Sequence, residues 1–266
     1  MTLRPFELSG ADGKMIRGDR ADGSNRQILF ITGFLSKRWG NKSKALAQWC
    51  AEQGWGFCCY DVRGFGDSEG KFTDYTLSDW IADARSVISM LLSPTDLTRP
   101  TPARQGAPFP GLTIVGNSLG GWIAWLVGQE RDEVERLIFI APAFNMMGVR
   151  AKTISPERRH DWHSAGWMPW DDDPLHREWP LSWKWVEESE AYWTSSFDRL
   201  RRVRTSILHG SGDTVIAPEG SREFVELVRR RDPSYPVEFH LVSGDHRLNG
   251  PEHMEQLRRL LLEPMV

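Results

Sequence analysis

The chain has few cysteines, no long apolar run and little net charge. Only three of its 266 residues are cysteines, Cys50, Cys58 and Cys59. An odd number crowded into one short stretch excludes a disulfide framework. Cys58 and Cys59 lie in the apolar run Gly56–Tyr60, where small thiols read as core. No run of about 18 apolar residues occurs, so no transmembrane helix is expected. The opening MTLRPFELSG holds no apolar export segment, and a reducing cytoplasm is the expected compartment. Positive charge is not in excess: Lys+Arg 33 against Asp+Glu 36 gives a net charge of −3. That argues against a nucleic-acid or membrane-surface binder relying on overall charge. At this length roughly 70–75% of the unfolded surface can be buried, so stability requires neither metal nor disulfide. One domain spanning 1–266, with an insertion, fits the length.

What is present is an alternation. Phe6–Leu8 and Lys14–Arg17 flank the turn Gly10–Ala11–Asp12–Gly13, as in a hairpin. Apolar runs at Gln27–Thr32, Gly56–Tyr60, Leu112–Val115, Leu137–Ile140, Ser206–Leu208 and Val237–Val242 read as buried strands. Helices are expected at Ser43–Gln53, Thr76–Leu92, Trp122–Gln129, Pro218–Arg230 and Pro251–Leu262. In the second, Leu77, Trp80, Ile81, Ala84, Val87, Ile88 and Leu91 keep the helical spacing. This order implies an α/β fold: right-handed βαβ units and a mostly parallel sheet with helices on both faces. Two stretches interrupt it. Ser93–Gly111, with Pro94, Pro100, Pro102, Pro108 and Pro110, reads as an exposed loop. Ala143–Trp193 lacks strand signals and holds seven of the 13 tryptophans. It reads as a helical lid inserted over one edge of the sheet, some of its indoles packed on the sheet domain and one or two facing an acyl pocket.

The most informative residues are Gly116–Asn117–Ser118–Leu119–Gly120, between a strand and a helix. A G-x-S-x-G turn in that context strains the backbone at the serine and lifts its hydroxyl to a helix N-terminus. Glycines two residues either side relieve the crowding. Ser118 is therefore the candidate nucleophile. It needs a base, and histidine suits neutral pH. Of seven histidines, His246 alone sits just past the last strand, at the sheet edge where ligands bind. The acid comes between serine and histidine in chain order, and Asp213 follows a strand end. Asp245 competes by adjacency, but a neighbour usually points away from the ring. Two N–H donors are expected for an oxyanion: Leu119, after the nucleophile, and Phe34, in the Gly33–Phe34 loop after the first apolar strand.

With these residues in hand, the chain resembles the α/β-hydrolases over almost its whole length. Asp61–Val62–Arg63–Gly64–Phe65–Gly66–Asp67–Ser68 matches their D-x-R-G-x-G-x-S turn, which shapes the loop beside the site. More narrowly, it resembles a bacterial group related to the mitochondrial palmitoyl-protein thioesterase, which also cleaves acyl glucuronides. That likeness rests on Gly33–Phe34, Ser36, Gly40, Lys42, Trp49–Cys50, Gly120–Gly121–Trp122, Ala141–Pro142–Ala143, Ser155–Pro156–Glu157–Arg158 and Gly244–Asp245–His246–Arg247–Leu248. Thr32 and Asn117 depart from it, where the group usually has proline and serine. The resemblance implies a serine esterase or thioesterase with a small lid, acting on a small-molecule acyl ester or thioester.

Other patterns carry less. His160, Asp161, His163, Asp171, Asp172, Asp173 and His176 lack metal-ligand spacing and read as a solvated acidic loop. Arg229–Arg230–Arg231 reads as cations at a helix C-terminus. Gly64–Phe65–Gly66 does not complete a dinucleotide fingerprint. The expectation is a Ser118–His246–Asp213 hydrolase needing no cofactor or metal. A C–C bond hydrolase or peptidase on the same triad, or a low-turnover ligand receptor, stands beside it.

Overall fold

The computed structural model describes residues 1–24, 26–93, 111–170 and 179–264. The proline-bearing positions 94–110, and Asp171, Asp172, Asp173 and His176 of the acidic stretch, lie outside the described residues.

Strands β1 (Arg4–Ser9), β2 (Met15–Ala21) and β3 (Gln27–Ile31) lead into α1 (Asn41–Gln53), β4 (Gly56–Asp61) and α2 (Leu77–Leu92). Then come β5 (Leu112–Asn117), α3 (Leu119–Gly128), β6 (Val134–Ile140), α4 (Met146–Thr153) and α5 (Pro156–Ala165). The short β7 (Trp167–Met168) and β8 (Leu181–Ser182) precede α6 (Trp183–Ser195). The chain ends on β9 (Arg204–Gly210), α7 (Glu219–Arg231), β10 (Val237–Val242) and α8 (Pro251–Leu262). The main sheet has the order β1-β2-β4-β3-β5-β6-β9-β10. The β1–β2 and β2–β4 pairs are antiparallel and the other five parallel.

The apolar runs form strands because both their faces are covered. In β3 and β4 every residue is buried. Alternate side chains enter opposite layers. Leu29, Ile31, Cys58 and Tyr60 join one cluster with α2, α3 and α7. Ile28, Phe30, Phe57 and Cys59 join another with α1 and α8. All three thiols are free and buried, and burial pushes Cys50 up to about 12.

The stretch between β6 and β9 differs from its sequence reading in two ways. It contains a small antiparallel ladder, β7 with β8, and its last helix runs on to Ser195. Strands of two residues are too short to leave an alternating pattern. The stretch is fastened to α2. Glu188 of α6 accepts from Thr76 Oγ1 at 2.9 Å and from the Ser78 N–H at 3.0 Å. A carboxylate there satisfies an open helix N–H and complements the helix dipole.

Candidate functional site

Parallel register brings several chain turns to one edge. Ile31 pairs with Gly116, Ile140 with Asn117, and Val242 with Gly210, so β3, β5, β6, β9 and β10 all end there. Between β5 and α3, Ser118 takes φ 53° and ψ −121°, a conformation L-residues rarely adopt. Its N–H donates to Ile140 O at 2.8 Å, and its carbonyl accepts from Gly121 N and Ala143 N at 2.9 and 3.0 Å. The flanking glycines are a packing necessity. A methyl on Gly116 would lie 2.4 Å from Gly120 O, and one on Gly120 would lie 2.2 Å from Ile31 O.

Ser118, His246 and Asp213, the first two 128 positions apart in sequence, lie in one hydrogen-bonded line. His246 Nε2 is 3.1 Å from Ser118 Oγ, and His246 Nδ1 is 2.7 Å from Asp213 Oδ2. A carboxylate can only accept, so Nδ1 carries the ring hydrogen and Nε2 is left to accept from the serine. Asp245 does not share this line. Its Oδ1 accepts from Arg247 N and Leu248 N at 3.0 and 3.2 Å and shapes its own turn. Burial raises the Asp213 pKa, but hydrogen bonds from His209, His246 and the Ile216 N–H outweigh it. The carboxyl is held well below the usual range.

Among the described residues, the Phe34 and Leu119 N–H groups donate to no protein acceptor. The loop carrying Phe34 is clamped by Arg38, which the sequence reading did not single out. Arg38 N donates to Asp61 Oδ1 at 2.6 Å, and its guanidinium reaches Asp19 and Asp67 at 2.7 Å each, and Asp61 as well. The D-x-R-G turn is fixed separately. Arg63 binds Asp83 at 2.6 Å and Asp12 at 2.8 Å. The expected role of Asp61–Ser68 as a frame for the neighbouring loop thus has a specific agent, Asp61 acting on Arg38.

A cleft of ≈ 410 Å³ opens on Ser118 and His246. Its walls include Phe30, Thr32, Phe34, Asn117 and Lys42, so both departures from the family pattern, Thr32 and Asn117, face it. Its charged side chains are Lys37, Lys42 and Arg247, all basic. Lys42 Nζ donates to Arg247 O and, at 3.1 Å, to Asn249 Oδ1, tying the start of α1 to the loop after His246. Burial lowers the Lys42 pKa to about 8, against the opposing pull of Asp245.

The expectation that lid tryptophans face the pocket is corrected. None of the seven lines this cleft; its aromatic faces are Phe30 and Phe34. Most of them pack on other aromatic rings instead, while Trp167 is exposed. Trp185 meets Trp80 at 4.8 Å, Trp162 meets Trp183 at 5.3 Å, and Trp193 meets Trp122 at 5.7 Å. Trp170 and Trp185 stand behind Phe34, at 4.8 and 5.4 Å. Large apolar rings gain most where water is fully excluded. His163 of the acidic stretch packs on Trp183 at 4.9 Å. Among the described residues no group of three His, Cys, Asp or Glu is arranged for a metal, and no helix is long and apolar enough to cross a membrane.

Comparison with known proteins frames this geometry. A family model described as serine aminopeptidase, S33 matches residues 24–161. The mitochondrial palmitoyl-protein thioesterase ABHD10 of Homo sapiens is 25% identical over 240 residues, covering 88% of this chain and 71% of that protein. Its Bos taurus counterpart is 22% identical over 255 residues, covering 94% and 76%. A putative hydrolase from Agrobacterium vitis S4 superposes with a TM-score of 0.81 at 21% identity, covering 98% of both chains. Mouse alpha/beta hydrolase domain-containing protein 10 gives 0.77 at 23%, covering 98% of this chain and 97% of that one. These structures share the fold.

Proposed function

Because the chain belongs to the serine aminopeptidase S33 family of α/β-hydrolases, and is thus a hydrolase related to ABHD10, we propose that it cleaves carboxylic esters or thioesters through an acyl-enzyme. The observation that carries the reading is the line Ser118 Oγ, His246, Asp213, with contacts of 3.1 and 2.7 Å, opening on the cleft. Ser118 Oγ attacks the acyl carbon while His246 Nε2 takes its proton. The carbonyl oxygen becomes an oxyanion, accepting from the Leu119 N–H at the α3 N-terminus and from the Phe34 N–H in the loop after β3. Collapse expels the alcohol or thiol, which leaves with the proton from His246. Water then attacks the acyl-enzyme, with His246 as base, and releases the acid and Ser118. Asp213 keeps the imidazole in the required tautomer and stabilises its charged form. In this reading the segment 143–193 is the lid, its aromatic cluster backing the Phe34 loop.

An ester or thioester is favoured over the aminopeptidase substrate of the family's name by charge. An α-ammonium group needs carboxylates in the cleft, whereas the lining charges are Lys37, Lys42 and Arg247. The palmitoyl-protein thioesterase relatives support the acyl-transfer reading. Turnover of p-nitrophenyl esters and acyl-CoAs, set against amino-acid p-nitroanilides, tests it. Ester or thioester hydrolysis that disappears in Ser118→Ala is the expected result. Hydrolysis of the anilides alone, or activity retained without Ser118, overturns it.

A further inference from the structure

We propose that His209 is a positioning residue for the acid of the site, holding the Asp213 carboxylate in the orientation that His246 requires. This rests on the reading of Ser118, His246 and Asp213 given above.

His209 belongs to β9, four residues before Asp213, and its side chain is fully buried. A histidine in a buried strand must place both ring nitrogens on partners. His209 Nε2 lies 3.2 Å from Asp213 Oδ2 and 3.0 Å from Ile216 O. Both are acceptors, and the peptide carbonyl can be nothing else, so Nε2 carries the hydrogen. Nδ1, 2.8 Å from Ser221 Oγ, then accepts from that hydroxyl. Ser221 is fully buried on α7. One imidazole thus links the helix after the acid, the turn around the acid, and the acid itself.

The carboxylate has two oxygens with about two acceptor sites each. Oδ1 is filled by Val215 N at 2.9 Å and Ile216 N at 2.8 Å. On Oδ2, His209 takes one place at 3.2 Å and leaves the other to His246 at 2.7 Å. Rotation of the carboxylate would break bonds on both oxygens at once. The Oδ2 site facing His246 is thereby fixed, and with it the imidazole that serves Ser118. The charge is also stabilised. The titratable side chains acting on Asp213 are His209 and His246, and the bond from His209 is among those that hold its pKa down against burial. Without that donor, the Asp213 carboxylate is a stronger acceptor for the His246 Nδ1–H and holds the charged imidazole more firmly, so activity is lost earlier on acidification.

The test compares His209→Leu, which removes the donor at similar bulk, with His209→Gln, which returns an N–H near the Nε2 position. Ser221→Ala, which unlatches the ring, is the third variant. Steady-state kinetics on p-nitrophenyl butyrate, pH profiles and melting curves are recorded for each. In His209→Leu, kcat should fall about 10- to 100-fold with little change in KM, as expected when a buried charged acceptor loses a donor. The acid limb should move to higher pH. His209→Gln should recover most of kcat and the limb. Ser221→Ala should show a smaller loss with the same shift of the limb. Two results overturn the proposal. One is a folded His209→Leu with kcat and acid limb as in the parent. The other is a folded His209→Gln as impaired as His209→Leu, which would make the ring a filler. If His209→Leu does not fold, Ser221→Ala and His209→Gln decide: parental kinetics in Ser221→Ala overturn the proposal. Ser118→Ala separates the two readings. If it stays active, the assignment of the site itself fails; if it is dead while the His209 variants are unaffected, only the present inference fails.

Discussion

Two regions meet at the Phe34 loop, and they are built from opposite kinds of contact. At the carboxyl edge of the sheet, side chains are held by directional hydrogen bonds. Asp213 alone accepts four, from His209, His246, Val215 N and Ile216 N. Between β6 and β9 the holding contacts are mainly rings on rings, with Trp162 and Trp185 each 1% exposed. The two regions meet where Trp170 and Trp185 back onto Phe34. The difference teaches where substitutions should act. A change at the sheet edge alters geometry and charge and should reach activity first. A change among the indoles alters buried area and should reach stability first.

The largest effect within this contrast is expected at Asp213, set against Asp245 beside His246. Asp213→Asn should lower kcat by roughly three to four orders of magnitude, because the amide misorients the imidazole. Asp245→Asn should cost far less, since an amide oxygen can still accept from Arg247 N and Leu248 N. The reverse ranking in steady-state kinetics would move the acid to Asp245. On the other side of the contrast, Trp162→Ala removes a buried indole whose Nε1–H donates to Leu181 O at 2.9 Å. A loss of about 3–5 kcal/mol is expected. It is read as a lowered midpoint in denaturant, with kcat of the remaining folded protein within a few fold. A selective collapse of kcat at unchanged stability would erase the distinction.

Smaller effects probe the boundary. Lys42, its pKa lowered by burial to about 8, sheds its charge as pH rises through that value. Its charge-assisted bonds to Arg247 O and Asn249 then weaken. kcat/KM should then fall a few fold from about pH 7.5 to 9.5. In Lys42→Met the activity should be lower throughout and lack that basic limb. An identical limb in the variant assigns it elsewhere. The smallest change is expected from Trp170→Ala, which removes the ring 4.8 Å from Phe34. Because the tryptophans cover Phe34 without lining the cleft, the parent protein should not gain the ~0.8 kcal/mol per added CH₂ that an open apolar pocket would give. Trp170→Ala should raise C10–C16 p-nitrophenyl esters relative to C4. A parent profile climbing steadily from C2 to C10 would mean that the indoles do line an acyl path.

The same contrast governs what could be read in the sequence. The candidate site residues were legible because directional chemistry constrains spacing. The turn Gly116–Gly120 needs small flanks, and Asp213 and His246 must follow strand ends. The strands were legible because burial on both faces leaves continuous apolar runs, as in Gln27–Ile31. The exact start of α3 was not: it begins at Leu119, and the next two residues, Gly120 and Gly121, have poor helix propensity. Nor was Arg38, whose partners Asp19, Asp61 and Asp67 come from separate segments that only the fold assembles. His209 offered a signal, a histidine directly after the apolar pair Ile207–Leu208 and four positions before Asp213. The tryptophans announced burial, but not which surface they would bury against, because ring packing has no fixed sequence spacing.

The central claim is that Ser118 forms the acyl-enzyme. Mass spectrometry after reaction with a fluorophosphonate probe tests it most directly. The account predicts one adduct per chain, on the peptide containing Ser118, with none in Ser118→Ala and slowed labelling in Asp213→Asn. Undiminished labelling of Ser118→Ala, or an adduct on another serine, would contradict it.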